Sequence, residues 1–514
     1  MTSDFVRIRL EPLSVEFVVP RGASLVASLA SHGVEFPCGG MGECGGCGVR
    51  VLSGSLPVTD ADRSSFTADK LASGWRLACQ ARAPVQGLEP LVLECLQWRM
   101  EILSDETPGC PIPTEFARAD AVRVGTLIAG KRGLGVAVDL GTTTIAAQLV
   151  DLASGSVLGV ETALNPQAAF GSDVMSRIRA ALDGQNLTSP IRSTLGNLVT
   201  RLAAGRQSEI AEVILVGNTV MHHLFCGLSI EPLSHVPFQS PHLVEQRFTP
   251  RDLAWDLPAD CAIRFARCLG GFVGSDILAG IVASGIARSD RLSALVDLGT
   301  NGEIAIGNRQ GIVCASTAAG PAFEAGAIRM GMRAVTGAVS YVSVAENTLH
   351  ATVIGNVAPR GICGSGLVDA VAAGLRIGAI QSSGRVANGT KLFTVAPPVV
   401  LYQSDIRELQ LAKAAIAAGF RLLVKRFGAS PGDLAAIHLA GAFGNYVQIE
   451  SALRIGLLEA PRALIHAAGN TALRGAKMLL LADEPPLPPT QHISLAADPA
   501  FQDEFANCMT FPEE

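Results

Sequence analysis

The sequence predicts a multidomain α+β and α/β protein, with a small sheet-plus-helix module ahead of a larger α/β domain made of two similar lobes. Three observations carry this. Residues 5–10 and 14–19 alternate apolar and polar side chains as strands do, and residues 24–31 show helical spacing. Residues 99–133 hold Pro108, Gly109, Pro111 and Pro113 among charges, which is linker chemistry. Finally, Val138-Asp139-Leu140-Gly141-Thr142 recurs as Val296-Asp297-Leu298-Gly299-Thr300. Each copy follows an apolar strand and precedes a second one, at 144–150 and 303–306, so each reads as strand, glycine turn and returning strand. The expected division is a module over 1–98, a linker over 99–133 and a two-lobed domain over 134–514, the second lobe beginning near 290.

A chain of 514 residues can bury large cores without disulfides. Its net charge of -6 and only 40 Lys and Arg exclude a nucleic-acid role, which needs clustered positive charge. Hydrophobic residues make up 48%, yet the apolar stretch 270–287 is broken by Asp276 and glycines before it could span a bilayer, so no membrane role is expected. The first residues lack the charged-then-apolar design of an export signal, so the expected compartment is the reducing cytoplasm. Its twelve cysteines therefore need a reason other than disulfides.

Four of them are clustered. The run Pro37-Cys38-Gly39-Gly40-Met41-Gly42-Glu43-Cys44-Gly45-Gly46-Cys47-Gly48, with Cys79 in Arg76-Leu77-Ala78-Cys79-Gln80, gives the spacing C-x5-C-x2-C-x31-C. Four thiolates can hold two sulfide-bridged irons, and the glycines let backbone amides approach the sulfurs. Zinc sites also take four cysteines, but usually as two close pairs, and only one such pair exists here. The stretch resembles plant-type and adrenodoxin-type ferredoxins. That resemblance implies a β-grasp fold and a 2Fe-2S cluster on Cys38, Cys44, Cys47 and Cys79, with one-electron transfer near about -400 mV. Cys95, Cys110, Cys226, Cys261, Cys268, Cys314, Cys363 and Cys508 show no such pattern and read as small apolar residues.

The duplicated loops Asp139-Leu140-Gly141-Thr142-Thr143-Thr144 and Asp297-Leu298-Gly299-Thr300-Asn301-Gly302-Glu303 supply what a polyphosphate requires. Glycine permits close backbone approach, hydroxyls and amides hold oxygens, and a carboxylate suits Mg2+. The pair resembles phosphate 1 and phosphate 2 of the ASKHA superfamily. This implies duplicated RNase H-like lobes of the actin and Hsp70 type, with ATP and Mg2+ in the cleft. Asp139 and Asp297 would face the metal or orient the attacking water, and Glu303 would be a second base. Gly141, Thr142, Thr143, Thr144, Gly299, Thr300, Asn301 and Gly302 would surround the phosphates. Gly364 and Gly366 in 361–369, with Gly441 and Gly444 in 439–445, look like the later glycine-rich segments that hold the connecting helix and the adenosine.

Nearly the whole chain resembles the reductive activators of corrinoid proteins. Further stretches include Asn165-Pro166-Gln167, Val216-Gly217-Asn218-Thr219, Gly270-Gly271-Phe272-Val273-Gly274-Ser275-Asp276 and Ala319-Gly320-Pro321-Ala322-Phe323-Glu324. The resemblance implies an ATP-dependent enzyme that passes one electron from its cluster to cob(II)alamin. That restores cob(I)alamin on a corrinoid protein of a methyltransferase system. It also implies an external low-potential electron donor and is compatible with a homodimer. An extra domain after the linker and C-terminal cysteine-rich motifs, both found in some relatives, are missing here. Two other readings stay open: an ATP-gated low-potential donor to another reductase or dehydratase, and a redox-sensing ASKHA binding protein. Three features are expected to carry no chemistry. His222-His223 reads as packed or capping, because adjacent side chains diverge. Lys413 reads as a solvated lysine on a helix over 406–427, and the proline-rich 484–489 as an extended surface wrap that joins no sheet.

Overall fold

The computed structural model describes residues 4–11, 15–30, 34, 42, 47–85, 90–95, 131–171, 173–299, 301–387, 389–444 and 446–513. Cys38, Cys44, Thr300 and nearly all of the expected linker lie outside them. The chain forms two compact units, Met1–Met100 with Leu164–Ile191, and Glu101–Ala163 with Arg192–Glu514. No helix among the described residues is long and apolar enough to cross a membrane.

The first unit is built on a mixed sheet of β1 (Phe5–Glu11), β2 (Val15–Pro20), β3 (Gly48–Ser53), β4 (Trp75–Leu77) and β5 (Leu91–Cys95), in the order β2-β1-β5-β3-β4. β1 runs parallel to β5 and antiparallel to β2, the β-grasp arrangement expected from the ferredoxin resemblance. Alternation along β1 sends Val6, Ile8 and Leu10 inward, where they meet Leu25 and Leu29 of the short helix region and Leu91 and Leu93 of β5. Ala169 of the segment 164–191 packs on the same core, so this unit takes in chain well beyond residue 98.

Asp62 ties the part of the sheet that leads to Cys79. It sits in a capping box: Oδ2 accepts from Thr59 N at 2.7 Å and Thr59 Oγ1 at 2.8 Å, while Thr59 Oγ1 accepts from Asp62 N at 3.1 Å. Its other oxygen accepts from Leu77 N, two residues before Cys79, at 2.6 Å. At 1% exposure Asp62 has little water to replace these donors.

The second unit repeats one sheet topology. β6 (Leu134–Leu140), β7 (Thr144–Asp151), β8 (Val157–Leu164), β9 (Ile210–Val216), β10 (Gln246–Phe248) and β11 (Ala262–Phe265) form a sheet ordered β10-β11-β9-β6-β7-β8. β12 (Ser293–Leu298), β13 (Gly302–Asn308) and β14 (Gly311–Thr317) begin the second lobe. A small sheet of β15 (Ala338–Ala345), β16 (Thr348–Val353) and β17 (Gly361–Ile362) and a ribbon of β18 (Leu392–Ala396) and β19 (Val399–Tyr402) follow. β20 (Ala436–Ala440), β21 (Ile465–Gly469) and β22 (Thr490–His492) complete the sheet β21-β20-β12-β13-β14-β22. Thus β11-β9-β6-β7-β8 and β21-β20-β12-β13-β14 are the same layout twice, as the repeated pentapeptide and the ASKHA resemblance lead one to expect.

The helices that close the two lobes cross. Helix Ser275–Ser284 inserts Ile277 and Ile281 into a core with Leu295, Ala305 and Cys314 of the second sheet. Helix Thr471–Leu481, last in the second lobe, buries Leu473, Ala476 and Leu480 against Ala137, Ile214 and Val216 of the first sheet. They touch at backbone range: a Cβ added to Gly475 would lie 2.0 Å from Ala279 O. No side chain fits there.

Two expectations are corrected. Lys413 is 2% exposed, because helix Gln403–Arg426 is sandwiched between the second sheet and the C-terminal residues. Its Nζ donates to Thr510 O at 2.5 Å and lies 5.5 Å from the Phe511 ring centre, and burial lowers its pKa to about 8. The helical period alone could not show that a C-terminal helix covers its outer side. The tail, in turn, does reach a sheet: Pro489 O accepts from Ile312 N at 2.9 Å, and Thr490–His492 pair with β14 as β22. Proline lacks a donor but keeps its acceptor, so a proline run can start an edge pairing.

Two stability outcomes follow from these contacts. Asp62→Ala should destabilise the first unit by about 2–4 kcal/mol, since it removes a charged acceptor from three donors. It should lower the temperature at which the visible absorbance of an iron-loaded protein is lost, with Asp62→Asn in between. Gly475→Ala should cost about 1–3 kcal/mol by forcing the crossed helices apart, read as a lower denaturant midpoint at unchanged slope.

Candidate functional site

Two sites emerge, one in each unit. In the first, β3 and β4 pair Gly48 with Leu77, which brings Cys47 and Cys79 to adjoining strand ends. Ala78 N donates to Cys47 O at 3.0 Å, and Gln80 Nε2 donates to Cys79 Sγ at 3.5 Å. The Cys47 thiol hydrogen bonds to Cys79 and draws its pKa down to about 6. Gly42 adopts φ +80, and a Cβ there would meet Ala61 at 3.0 Å and Gln80 Nε2, the donor to Cys79, at 3.1 Å. Paired soft thiols with an amide donor fit an iron-sulfur group. Cys38 and Cys44 lie outside the described residues. Of the other cysteines, Cys261, Cys268, Cys314, Cys363 and Cys508 are buried free thiols.

The second site is the cleft between the duplicated lobes. Asp139 is the penultimate residue of β6 and Asp297 that of β12, so the same strand end carries a carboxylate in each lobe. The turns after them close by Gly141 N to Thr144 O and Gly299 N to Asn301 O, both 3.0 Å. Thr142 Oγ1 accepts from Asn218 Nδ2 at 2.9 Å, and Thr143 Oγ1 lies 3.4 Å from Glu324 Oε1 across the cleft. Asp297 stands directly opposite Glu303 in the β12–β13 register, so both side chains face one side of the sheet. Ser316 Oγ, at 3.4 Å, is a hydrogen-bond donor to Glu303.

These carboxyls are enclosed and near one another, and both facts raise their pKa values. Burial raises Asp139 to about 6, against the lowering effect of Asn470. Burial and then the Asp139 charge raise Asp297 to about 7. Asp276, at the start of helix Ser275–Ser284, goes up to about 8 by burial and by the charges of Asp297 and Asp139. Glu303 is pushed well above the carboxylate range by burial and by Asp276 and Asp297. Four acids therefore share one field. Among the described residues no three of them converge closely enough to chelate an ion directly. A hydrated Mg2+ does not need that, because it keeps several waters and takes only one or two carboxylates.

The later glycines are also drawn in. A Cβ at Gly441, which has φ +86, would meet Asp297 Oδ1 at 2.4 Å, so this backbone lies against the carboxylate itself. Gly444 ends the same short helix, Gly441–Gly444. Gly364 begins helix Gly364–Arg376, and a Cβ there would lie 1.6 Å from Phe323 O; the Phe323 ring sits 4.8 Å from that of Phe443. Gly366 instead packs on Val339 O, where a Cβ would come within 2.2 Å, and this is a packing reason for glycine. Gly302 opens β13 beneath Ile416 of helix Gln403–Arg426.

Sequence reasoning missed Asp276, Asn218, Asn470 and Glu324 as members of this site. A signal for two of them was present: Gly217-Asn218-Thr219 and Gly469-Asn470-Thr471 each join a strand to a helix. Both asparagines cap their helices, accepting from Met221 N at 3.0 Å and Leu473 N at 2.8 Å. Both aim their amide donors at the first loop, Asn218 at Thr142 and Asn470 at Asp139 Oδ2, the latter at 2.9 Å. His222 and His223, on helix Thr219–Cys226, are fully buried. His223 bonds Thr219 O at 2.8 Å and Ser240 Oγ at 2.7 Å, and His222 packs edge-on against Phe265.

Comparison with known proteins covers both sites. A 2Fe-2S iron-sulfur cluster binding domain matches residues 8–84, a RACo middle region matches 134–289, and the C-terminal domain of RACo, the ASKHA domain, matches 291–514. The chain is 36% identical over 415 residues to the corrinoid activation enzyme RamQ of Eubacterium limosum, covering 72% of this chain and 69% of that protein. It is 26% identical over 381 residues to a Co(II) methylated amine-specific corrinoid protein reductase of Methanosarcina barkeri, covering 68% and 70%. A solved reductive activator for corrinoid, iron-sulfur protein superposes with a TM-score of 0.65 at 26% identity, covering 99% of this chain and 98% of that one. With an iron-sulfur module, a RACo middle region and a RACo ASKHA domain in that order, the chain belongs to the reductive activators of corrinoid proteins.

Proposed function

We propose that this protein uses ATP to drive one electron from its own iron-sulfur module onto the cob(II)alamin of a corrinoid protein, regenerating cob(I)alamin in a methyltransferase system. On this reading residues 1–98 carry the electron, 99–133 tether the module and 134–514 hydrolyse ATP. The observation that carries it is a carboxylate-lined cleft between duplicated lobes in the same chain as the Cys47–Cys79 thiol pair. Relatives with this organisation bear names that specify corrinoid activation and reduction.

Cys38, Cys44, Cys47 and Cys79 are the ligand set for a 2Fe-2S cluster, which when bound supplies one electron at roughly -400 mV. Each 59 mV by which the acceptor lies below the donor costs about tenfold in equilibrium for one electron. ATP offsets such a deficit only if the nucleotide distinguishes two states of the protein. The cleft is suited to that. Gly141, Thr142, Thr143 and Thr144 from one lobe and Gly299, Thr300, Asn301 and Gly302 from the other would hold the phosphates. Asp139 and Asp297 would face Mg2+ or the attacking water, and the backbone at Gly364, Gly441 and Gly444 would border the adenosine. Glu303, whose pKa burial and the Asp276 and Asp297 charges raise well above the carboxylate range, would be the second base, and a Mg2+ bound in the cleft would lower that pKa and favour the carboxylate. Water then attacks the γ-phosphorus, the bond to ADP breaks, and the proton passes to this carboxylate. An external low-potential donor would reload the module, and a homodimer is the assembly this reading expects.

In an anaerobic assay, reduced protein mixed with a cob(II)alamin-loaded corrinoid protein should give the cob(I) spectrum only with Mg-ATP. Asp139→Ala should lower the ATP-dependent rate by about 100-fold or more, in line with loss of an electrostatic catalytic group. Cys44→Ser should abolish reduction while ATP hydrolysis persists. A partner that stays cob(II) under every nucleotide condition, though competent with a chemical reductant, would refute the corrinoid assignment.

The acid cluster also fixes a pH response. Its carboxyls keep protons in the nucleotide-free fold to higher pH than in the unfolded chain, so their contribution falls as pH rises toward about 8. Buried His222 and His438, lowered to about 4, act oppositely, but only below the ordinary histidine value. Between about pH 6.5 and about pH 8 the nucleotide-free melting temperature should therefore fall in the wild type and fall less in Glu303→Gln. An equal or steeper fall in the variant would contradict the shared-field account.

A further inference from the structure

Helix Thr471–Leu481 spans 11 residues, about 16 Å at 1.5 Å per residue, and is pinned at both ends. Its N-terminal cap Asn470 donates to Asp139, in the nucleotide cleft, at 2.9 Å. At its other end the carbonyls of Leu479 and Leu480, which no helical amide can reach, are taken by two cations. Lys131 Nζ donates to Leu480 O at 2.6 Å and Arg264 Nη2 donates to Leu479 O at 2.5 Å. Glu212 holds both cations, its two oxygens 2.8 Å from Lys131 Nζ and 2.8 Å from Arg264 Nε. Arg264, held by Glu212, satisfies Leu479 O, as cations near a helix C-terminus do. Lys131 is placed differently, since it stands at the end of the tether that leads from the iron-sulfur module into the first lobe.

We infer that Lys131 is a positioning residue that couples the nucleotide state sensed at Asp139 to the tether of the iron-sulfur module, through helix Thr471–Leu481 as a rigid strut. The inference rests on the proposed ATP-driven electron transfer and adds to it the route of coupling. A change at Asp139 alters the bond from Asn470, and a helix packed along its length on the first sheet shifts as one body. The carbonyl that Lys131 grips moves with it, and so does the point where the tether enters. The element has one identifiable contact with each end of the problem, which makes the claim one of physical linkage and not of proximity alone.

The test uses the iron-loaded full chain with Lys131→Met, Lys131→Arg and Glu212→Gln. In Lys131→Met the rate of ATP hydrolysis should stay within about twofold, whereas ATP stimulation of corrinoid reduction should drop by about fivefold or more, the usual size of a coupling term. Lys131→Arg should restore the stimulation, and Glu212→Gln, which removes the carboxylate that holds both Lys131 and Arg264, should lose at least as much as Lys131→Met. Hydrogen exchange supplies a readout without the corrinoid partner. A non-hydrolysable ATP analogue should change protection both in 471–482 and in 131–134 of the wild type, and only in 471–482 of Lys131→Met. Unchanged stimulation in Lys131→Met, or equal losses of hydrolysis and stimulation, would overturn the inference. If the wild type shows no ATP stimulation, the proposed function fails; the exchange data then decide the strut on their own, and transmission equal in wild type and variant rejects it.

Discussion

Asp297 and Glu303 face each other across two antiparallel strands, and like charges so placed repel. With Asp139 and Asp276 in the same enclosure, burial and mutual repulsion raise the pKa values of all four acids above the carboxylate range. Such a cluster favours a ligand that brings positive charge, and under the proposed function that ligand is a magnesium-bound polyphosphate. Much of the surrounding architecture is organised by that need. Strands β6 and β12 end one residue past their aspartates, glycine turns reverse the chain there, and Gly441 brings a bare backbone against the Asp297 carboxylate.

The same constraint explains why the lobes are joined as they are. Helices Ser275–Ser284 and Thr471–Leu481 each begin at the cleft, with Asp276 and Asn470 at their first turns. Each is buried in the opposite lobe's core, and they meet through Gly475 without an intervening side chain. Charge changes in the cleft therefore act on two elements that cannot slide freely, because well-packed interiors move between discrete arrangements. That is the property an electron-transfer switch needs.

The sequence made legible those features that local chemistry dictates. The cysteine spacing, the alternation along β1 and the repeated pentapeptide led to the iron-sulfur module and to two lobes of identical strand order. That Asp139 and Asp297 stand at matching strand ends was readable because they lie inside that repeat, and Glu303 drew notice because it follows the second copy by three residues. Asp276 and Asn470 were not, because their role depends on helices packing across lobes, 137 and 331 residues from Asp139 in the chain. Lys413 failed for a related reason: a helix-facing argument sees one covering layer, and here the C-terminus supplies a second. The proline tail misled because composition reports a missing donor and says nothing of the acceptor that meets Ile312.

On the proposed function the cleft gates the electron. The most direct measurement is an anaerobic single-turnover experiment in which bleaching and recovery of the iron-sulfur absorbance and the appearance of cob(I) are followed in the same stopped-flow trace. On adding Mg-ATP, one cob(I) should appear for each electron lost by the module, with matching time courses and almost none without nucleotide. Equal cob(I) formation with and without ATP, or loss of the electron with no cob(I) formed, would contradict it.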